Sequence, residues 1–462
     1  MMRRVSYLTT LVFSMLVLLS CEKDEPVSIY SKSIVVSDGI SVTSFTADLS
    51  ATFNGVDKAE LALAKKGALY CVKSDNTEGA FKAWKEGINN PGCTMYDNVN
   101  MTGETARCLL KGLSEDTEYS FCFFLQKRDG KREISPVCQF RTMAFNPEIK
   151  DVSLDGVQSF VAFAQGGVVI DINDAALCEM GVLVSGHSNT TIENSTVYKC
   201  SQFKLGGIKE GGEHVLDFTL RLNGLDTNKD YYCRPYIKYP ISSNQSGYLY
   251  GTEKAFKTKA FQDIAVDLGL TSGNLWAMTN VGADSPEQYG NYFAWAEVNP
   301  KTNYTMNNYK WRNDNNKYNT DSTSVYLSSR KNIDLEDDAA NYNWGGDWRI
   351  PTHEDYCELT DECDWSETSL DGVLGIQITG VNGNSIFIPY GGVITEGSEA
   401  TLKGSRFYTF TSTLYFEFAN GFKYWTYPWG DDPLYLGPGH DFTHQFNRSS
   451  GFTIRPVYPV NK

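Results

Sequence analysis

The stretch Asn341-Tyr-Asn-Trp-Gly-Gly-Asp-Trp-Arg-Ile-Pro-Thr-His-Glu-Asp355 decides how the C-terminal part of this chain is read. Gly345 and Gly346 permit a tight turn at positive φ. Trp344 and Trp348 flank the turn, each with a large apolar surface and one N–H to satisfy. Pro351 stops what precedes it and biases Ile350 toward an extended shape. Thr352 stands three residues before Asp355, close to a capping box. A helix is therefore predicted from about Thr352 through Tyr356 and Leu359, as far as Cys363. The plain reading is a turn, a cap and two core tryptophans. None of these residue types forms a catalytic constellation.

The wording is more specific than the physics. Asp337-Asp338-Ala339-Ala340 followed by Asn343-Trp-Gly-Gly-Asp-Trp-Arg-Ile-Pro-Thr352 resembles the signature of the Fibrobacter-type major paralogous domain family. The resemblance extends upstream through Val266-Asp-Leu-Gly-Leu-Thr-Ser-Gly-Asn-Leu-Trp-Ala277, Asn280-Val-Gly-Ala283 and Gly290-Asn-Tyr-Phe-Ala-Trp-Ala-Glu297. Downstream it takes in Asn382-Gly-Asn-Ser-Ile-Phe-Ile-Pro389 and the closing Gly451-Phe-Thr-Ile-Arg-Pro-Val457. It implies a C-type-lectin-like α+β fold on a bacterial surface protein. The chain departs from the family at Tyr390-Gly391-Gly392 and at Tyr408-Thr-Phe-Thr-Ser412, and both departures weaken the transfer of a binding surface.

Two β domains precede that part as an internal repeat with a period of about 112 residues, the size of a domain. Leu110-Lys-Gly-Leu-Ser-Glu-Asp-Thr-Glu-Tyr-Ser-Phe-Cys122 matches Leu222-Asn-Gly-Leu-Asp-Thr-Asn-Lys-Asp-Tyr-Tyr-Cys233. Each copy reads as a strand end, a turn at Gly112 or Gly224, a polar corner, and a strand opened by Tyr119 or Tyr231. Each closes on a similar edge, Gln139-Phe-Arg-Thr142 and Ala255-Phe-Lys-Thr258. The corner and the final Phe-x-Thr resemble fibronectin type III domains. The expected fold is therefore mainly β: two immunoglobulin-like, fibronectin type III-like sandwiches at 31–143 and 144–259, then a C-type-lectin-like α+β domain at 260–462. Glu78 to Glu86 reads as a helical insert, with Phe81 and Trp84 packing onto the sheet. Ala144 to Pro147 and Ala260 to Asp263 read as exposed linkers, and Asn303 to Arg330 as a long surface loop.

The N-terminus reads as a targeting segment. Arg3 and Arg4 precede an apolar run too short to span a bilayer, which ends Leu18-Leu-Ser-Cys21. That ending resembles a bacterial lipobox, so 1–20 is a signal peptide, Cys21 a lipidation site and 21–30 a tether. Glu22-Lys-Asp-Glu25 resembles the surface-export signal of Bacteroidota lipoproteins. The implied location is the outer membrane, lipid-anchored and facing outward. A net charge of −15 argues against nucleic acid, which needs a basic face. Ten cysteines besides Cys21 include no metal-type Cys-x-x-Cys, and buried free thiols are expected for those in apolar strands.

Chemistry-bearing motifs are sparse. No phosphate loop, dinucleotide fingerprint or nucleophile elbow occurs. His440 and His444 are spaced i,i+4, but Pro438-Gly439 precedes them and no Glu lies between. Asp334, Glu336, Asp337 and Asp338 form one acidic cluster, Asp431 and Asp432 another. Neither has EF-hand spacing, and the first also suits a helix N-terminus. No cofactor is expected, and calcium is the cation to test. The run Phe422-Lys-Tyr-Trp-Thr-Tyr-Pro-Trp-Gly-Asp-Asp-Pro-Leu-Tyr435 reads as a strand and then a loop. Its Trp425, Tyr427 and Trp429, with Asp431 and Asp432, suit a sugar platform: flat rings cover the apolar face of a pyranose while acids accept from hydroxyls. The competing reading puts alternate rings in the core. The function expected is non-catalytic binding or adhesion, to a glycan or to a host or surface protein. The alternatives are a glycan-processing hydrolase, with carboxylates from distant loops, and a structural subunit binding only proteins.

Overall fold

The structure, a computed structural model, describes residues 29–89, 91–209, 212–242, 245–311, 332–416, 424–429 and 447–460. At 242, 414–416 and 424–429 it describes the backbone alone. Cys21, Asp431, Asp432, His440 and His444 lie outside the described residues. No described helix is long and apolar enough to cross a membrane.

The chain is mainly β. The strand Thr46–Phe53 alternates in burial, as half-buried strands do, and sends Ala47, Leu49, Ala51 and Phe53 inward. They meet Phe121, Phe123 and Leu125 of Glu118–Gln126, which belongs to a second sheet. The two five-stranded antiparallel sheets thus close a sandwich from residues 34–141. Residues 148–257 repeat it. Ala162, Ala164, Phe218 and Leu222 of one five-stranded sheet pack on Val182, Val184 and Cys233 of the other.

The repeat holds down to single hydrogen bonds. The Tyr119 hydroxyl accepts from the Ser114 N–H at 2.9 Å, and the Tyr231 hydroxyl from the Asp226 N–H at 2.8 Å. Thr142 Oγ1 accepts from Thr117 N–H and donates to Ser114 O, at 2.8 and 2.6 Å. Thr258 Oγ1 does the same with Lys229 N–H and Asp226 O, at 2.9 and 2.6 Å. The helix Thr77–Lys85 covers the first sandwich, with Phe81 and Trp84 buried and the Trp84 ring 4.8 Å from that of Phe124.

Residues 265–458 form the α+β part. It comprises two three-stranded sheets, the hairpin Thr409–Phe416 with Tyr424–Trp429, and helices Ala339–Trp344 and His353–Glu362. Thr352 caps the second helix and forms a capping box with Asp355. Gly345 and Gly346 have φ of 71° and 56°, and the flanking rings meet edge to face at 5.1 Å. Both tryptophans are buried, yet neither indole N–H finds an acceptor among the described residues.

The expected linkers are packed on one side and exposed on the other. In Ala260 to Asp263, Gln262 and Asp263 are exposed and Phe261 is half-buried. Phe261–Asp263 is a 3₁₀ turn, and the Phe261 ring packs on Trp348, Phe160 and Tyr458. Ala144 to Pro147 is also held: Ala144 O accepts from Ser44 Oγ, and Phe145 N–H donates to Glu115. Finally, the segment after Asn303 is not all surface, since Tyr304 and Tyr309 are buried. Packing also begins within the expected tether, because Tyr30 lies against the Trp84 cluster.

The joints between the three parts are packed. Asp174 is 3% exposed and accepts from Thr43 Oγ1, Ser44 N–H and Phe45 N–H at 2.5, 3.0 and 3.1 Å. The rings of Phe45, Phe145 and Tyr239 pack on one another, with centroids 4.7, 6.0 and 4.8 Å apart. At the second joint Phe160 sits against Gly345 and Gly346, where an added Cβ on Gly346 would come 2.7 Å from the ring. Arg221 donates to the carbonyls of Asn341 and Tyr342 at 3.0 and 2.7 Å.

Candidate ligand-binding surface

The strand that carries the aromatic run is hung on the helix cap. Tyr424–Trp429 pairs only with Thr409–Phe416 among the described residues, so Pro428, which lacks an N–H, sits on an edge strand. Trp425 lies opposite Tyr415, and Trp429 opposite Thr409. The ladder slips between Phe410 and Leu414, a bulge of the kind that re-aims a strand. The bulged residues bind neighbours instead of the hairpin partner. Ser412 N–H donates to Pro351 O at 2.8 Å, and Ser412 O accepts from Ile333 N–H at 2.9 Å. Thr413 Oγ1 accepts from His353 N–H at 3.1 Å, and Thr411 O from the Trp295 indole at 3.1 Å. Trp425, Tyr427 and Trp429 thus occupy alternate positions of one edge strand. Asp431 and Asp432 follow it outside the described residues.

The strongest hydrogen-bonding side chains of the C-terminal motifs are committed to the scaffold. Arg455 is 1% exposed and reaches Asn280 Oδ1 at 2.9 Å, Ala277 O at 3.1 Å, Phe387 O at 2.7 Å and Met278 O. Burial pulls its pKa down to about 9. Asp338 accepts from the N–H groups of Ala340, Asn341 and Ile350 at 2.8, 3.0 and 2.8 Å. Asp355 holds Arg349 and Asn274 and closes the cap with Thr352. These groups join segments distant in sequence.

Asp334, Glu336 and Asp337 bring carboxylate oxygens within 4.8 Å of one another. Asp338, expected in the same cluster, turns away to cap the helix Ala339–Trp344. Asp337 is nearly buried and pairs with Lys310 Nζ at 2.9 Å, and that ammonium also lies 4.1 Å from the Trp311 ring centre. Glu297 accepts from Lys310 N–H at 2.6 Å and pairs with Lys301. Ala296 between Trp295 and Glu297 has φ 57°, an unusual conformation for an L-residue with a side chain. The three carboxylates could serve as hard oxygen ligands, but a lysine already neutralises one of them.

His353 Nε2 lies 3.4 Å from Cys357 Sγ, the geometry of a nucleophile and its base. Burial and the carboxylates of Asp361 and Glu354 push the Cys357 thiol up, which opposes thiolate formation. A feature the sequence reading missed lies on the second sandwich. There a groove of about 640 Å³ is lined by Phe203, Phe218, Gln165, Gln202 and the Lys150–Asp217 ion pair. Phe203 in an otherwise polar stretch was the available signal.

No family model matches the chain, and no curated protein matches it. Among solved structures, a purple acid phosphatase from yellow lupin (Lupinus luteus) seeds is 11% identical with a TM-score of 0.19, over 47% of this chain and 39% of that one. The FN1–FN3 domains of chicken CNTN1 are 11% identical with a TM-score of 0.18, over 46% of this chain and 60% of that one. Similarities at this level carry no argument about activity.

Proposed function

We propose that this chain is a non-catalytic binding or adhesion protein of the bacterial surface, anchored in the outer membrane through a lipidated Cys21. In this reading 260–462 is a C-type-lectin-like domain of the Fibrobacter-type major paralogous family, borne on two fibronectin type III-like sandwiches, and carbohydrate is its ligand class. The observation that carries the reading is the edge strand Tyr424–Trp429, with three aromatic residues at alternate positions, fixed by the bulge at Thr411 to Thr413. The scaffold role of Arg455, Asp338 and Asp355 supports a non-catalytic domain. Stacking one sugar on one ring contributes about 1 kcal/mol, so single-site affinity is weak and clustering on a membrane raises it.

The test is a glycan array probed with the whole chain carrying Cys21→Ala, with and without calcium. The expected result is binding to a restricted glycan class, lost on Trp429→Ala. No binding, or equal binding after Trp429→Ala, moves the reading to a protein partner. Turnover of a glycan makes the chain a hydrolase.

A further inference from the structure

The strand Lys65–Val72 pairs with Thr94–Tyr96 in the register Ala68–Tyr96, Leu69–Met95 and Tyr70–Thr94. The ladder ends there; continued one rung past Tyr70–Thr94, the same register brings Cys71 opposite Cys93, both free thiols in the structure. Directly opposed residues have Cα atoms about 4.5 or 5.5 Å apart, depending on the kind of rung. Both values fall inside the range of roughly 4.4–6.8 Å that a disulfide spans. Opposed side chains also share one face of the sheet, and both cysteines pack half-buried against the cluster of Leu69, Phe81 and Trp84. The ladders themselves oppose no two cysteines among the described residues: Cys71 faces Ser120, Cys108 faces Leu49, Cys122 faces Leu69, Cys138 faces Phe121, and Cys233 faces Val184 and Lys254.

The second sandwich supplies an internal control. Its hairpin has the matching register, Gly181–Lys199 through Val184–Thr196. Gly67 and Gly181 mark equivalent places: a Cβ on either would strike the carbonyl of Tyr96 or Tyr198, at 2.0 and 2.1 Å. Carried to the equivalent rung, Cys71 and Cys93 correspond to Ser185 and Ser195. There the two hydroxyls turn to their own loops, Ser185 accepting from His187 N–H and Ser195 donating to Thr191 O. The rung accepts two small side chains in both repeats, and in the first both are thiols.

We infer that Cys71 and Cys93 are a modification site, a cross-strand disulfide formed by exchange with a small-molecule disulfide. One thiol loses its proton and attacks the incoming disulfide, giving a mixed disulfide and releasing one small thiol. The second thiolate then displaces the other small thiol. The two cysteines together give up two electrons and two protons, and the incoming disulfide becomes two thiols. The bond closes the segment that carries the helix Thr77–Lys85 and fastens both its ends to one sheet edge.

The experiment incubates the full chain with oxidised glutathione or with a reducing agent, alkylates the free thiols, digests with trypsin and weighs the peptides. The expected product after oxidation is a linked pair of 67–73 and 86–107, two hydrogens lighter than the separate peptides. Digestion of the intact chain after Lys82 and Lys85 should slow at least threefold on oxidation. The double variant Cys71→Ser/Cys93→Ser, which copies the second repeat, should fold and lose that redox dependence. Alkylation of both residues after oxidation, linkage of either to another cysteine, or the same redox dependence in the double variant would each overturn the assignment.

Discussion

Asp338 is the side chain on which the deciding stretch depends, and its removal has a size and a pH signature. It is 2% exposed and accepts from three backbone N–H groups, two opening the helix Ala339–Trp344 and one from Ile350 beyond the glycine turn. In Asp338→Ala those donors lose their acceptor. Ala340 and Ile350 make fully buried bonds, whereas that of Asn341 is partly exposed. At about 1–3 kcal/mol for each buried orphan, the cost is on the order of 3–6 kcal/mol. Burying the carboxylate works the other way. Desolvation, opposed by those same N–H groups, pushes its pKa up to about 6 from an ordinary 3.8. That rise corresponds to a penalty of about 3 kcal/mol on the ionised form. Subtracting that relief leaves about 0–3 kcal/mol of destabilisation at pH 7.

The pH dependence follows from the raised pKa. The folded chain holds this proton to higher pH than the unfolded chain does. The stability it contributes is therefore complete below about pH 3.8 and lost as pH rises through about 6. Between pH 7 and 5 the wild type regains about 1.4 kcal/mol from this group and the alanine variant nothing. The destabilisation should thus be larger at pH 5 than at pH 7. Thermal melts followed by tryptophan fluorescence suit the measurement, because Trp84 is the only one of the nine tryptophans outside 260–462. At about 2–4 °C per kcal/mol for a part of this size, the loss is up to about 12 °C at pH 7 and about 3–6 °C greater at pH 5. A variant melting within 1 °C of the wild type at both pH values, or a gap that widens from pH 5 to 7, would refute the reasoning.

Asp174→Ala should orphan the N–H groups of Ser44 and Phe45 and loosen the first joint by about 2–4 kcal/mol, read as faster proteolysis between Ala144 and Pro147. Unchanged cutting there would mean that the aromatic cluster alone holds the joint. Arg455→Lys should lower stability by about 3–5 kcal/mol, because one ammonium cannot reach four acceptors spread from Ala277 to Phe387, and the same melts would show it. Cys21→Ala should move the protein from the membrane to the soluble fraction, and a variant still bound to membranes excludes anchoring at Cys21.

The sandwiches were legible because their signals are local and repeated. Tyr119 and Thr142 come with their turn residues in fixed order, and the second copy repeats them. The helix cap at Thr352 was legible for the same reason. The joints were not, since they depend on residues that look ordinary where they stand. Asp174 reads as an acid in a short polar turn, and only the fold brings Thr43 to it across more than a hundred residues. Phe160 carries no motif at all. Arg455 could be noticed as part of a closing motif, but its four acceptors arrive from two separate segments, 277–280 and Phe387. The aromatic strand was found from composition alone. The bulge that positions it was invisible, because Thr411, Ser412 and Thr413 carry no signal for a slipped register.

The glycine turn has two uses, which tie the fold of the C-terminal part to its display. At φ 71° and 56° Gly345 and Gly346 fold the chain back between two tryptophans, a conformation most residues resist. Their missing side chains also admit Phe160, which would meet an added Cβ at 3.0 and 2.7 Å. Arg221 grips the adjacent helix end through two carbonyls. The residues that close the turn therefore also fasten this part to the sandwich below it. On the other side of the same stretch, Pro351 and His353 hold the bulge from which the aromatic strand hangs. From Phe160 to Thr413 the connection runs through packed rings, the glycine turn itself and hydrogen bonds. A ligand bound on that strand, as proposed, would be held at a fixed orientation to the second sandwich. For weak single-site binding this lowers the entropy lost when many copies on one surface engage together.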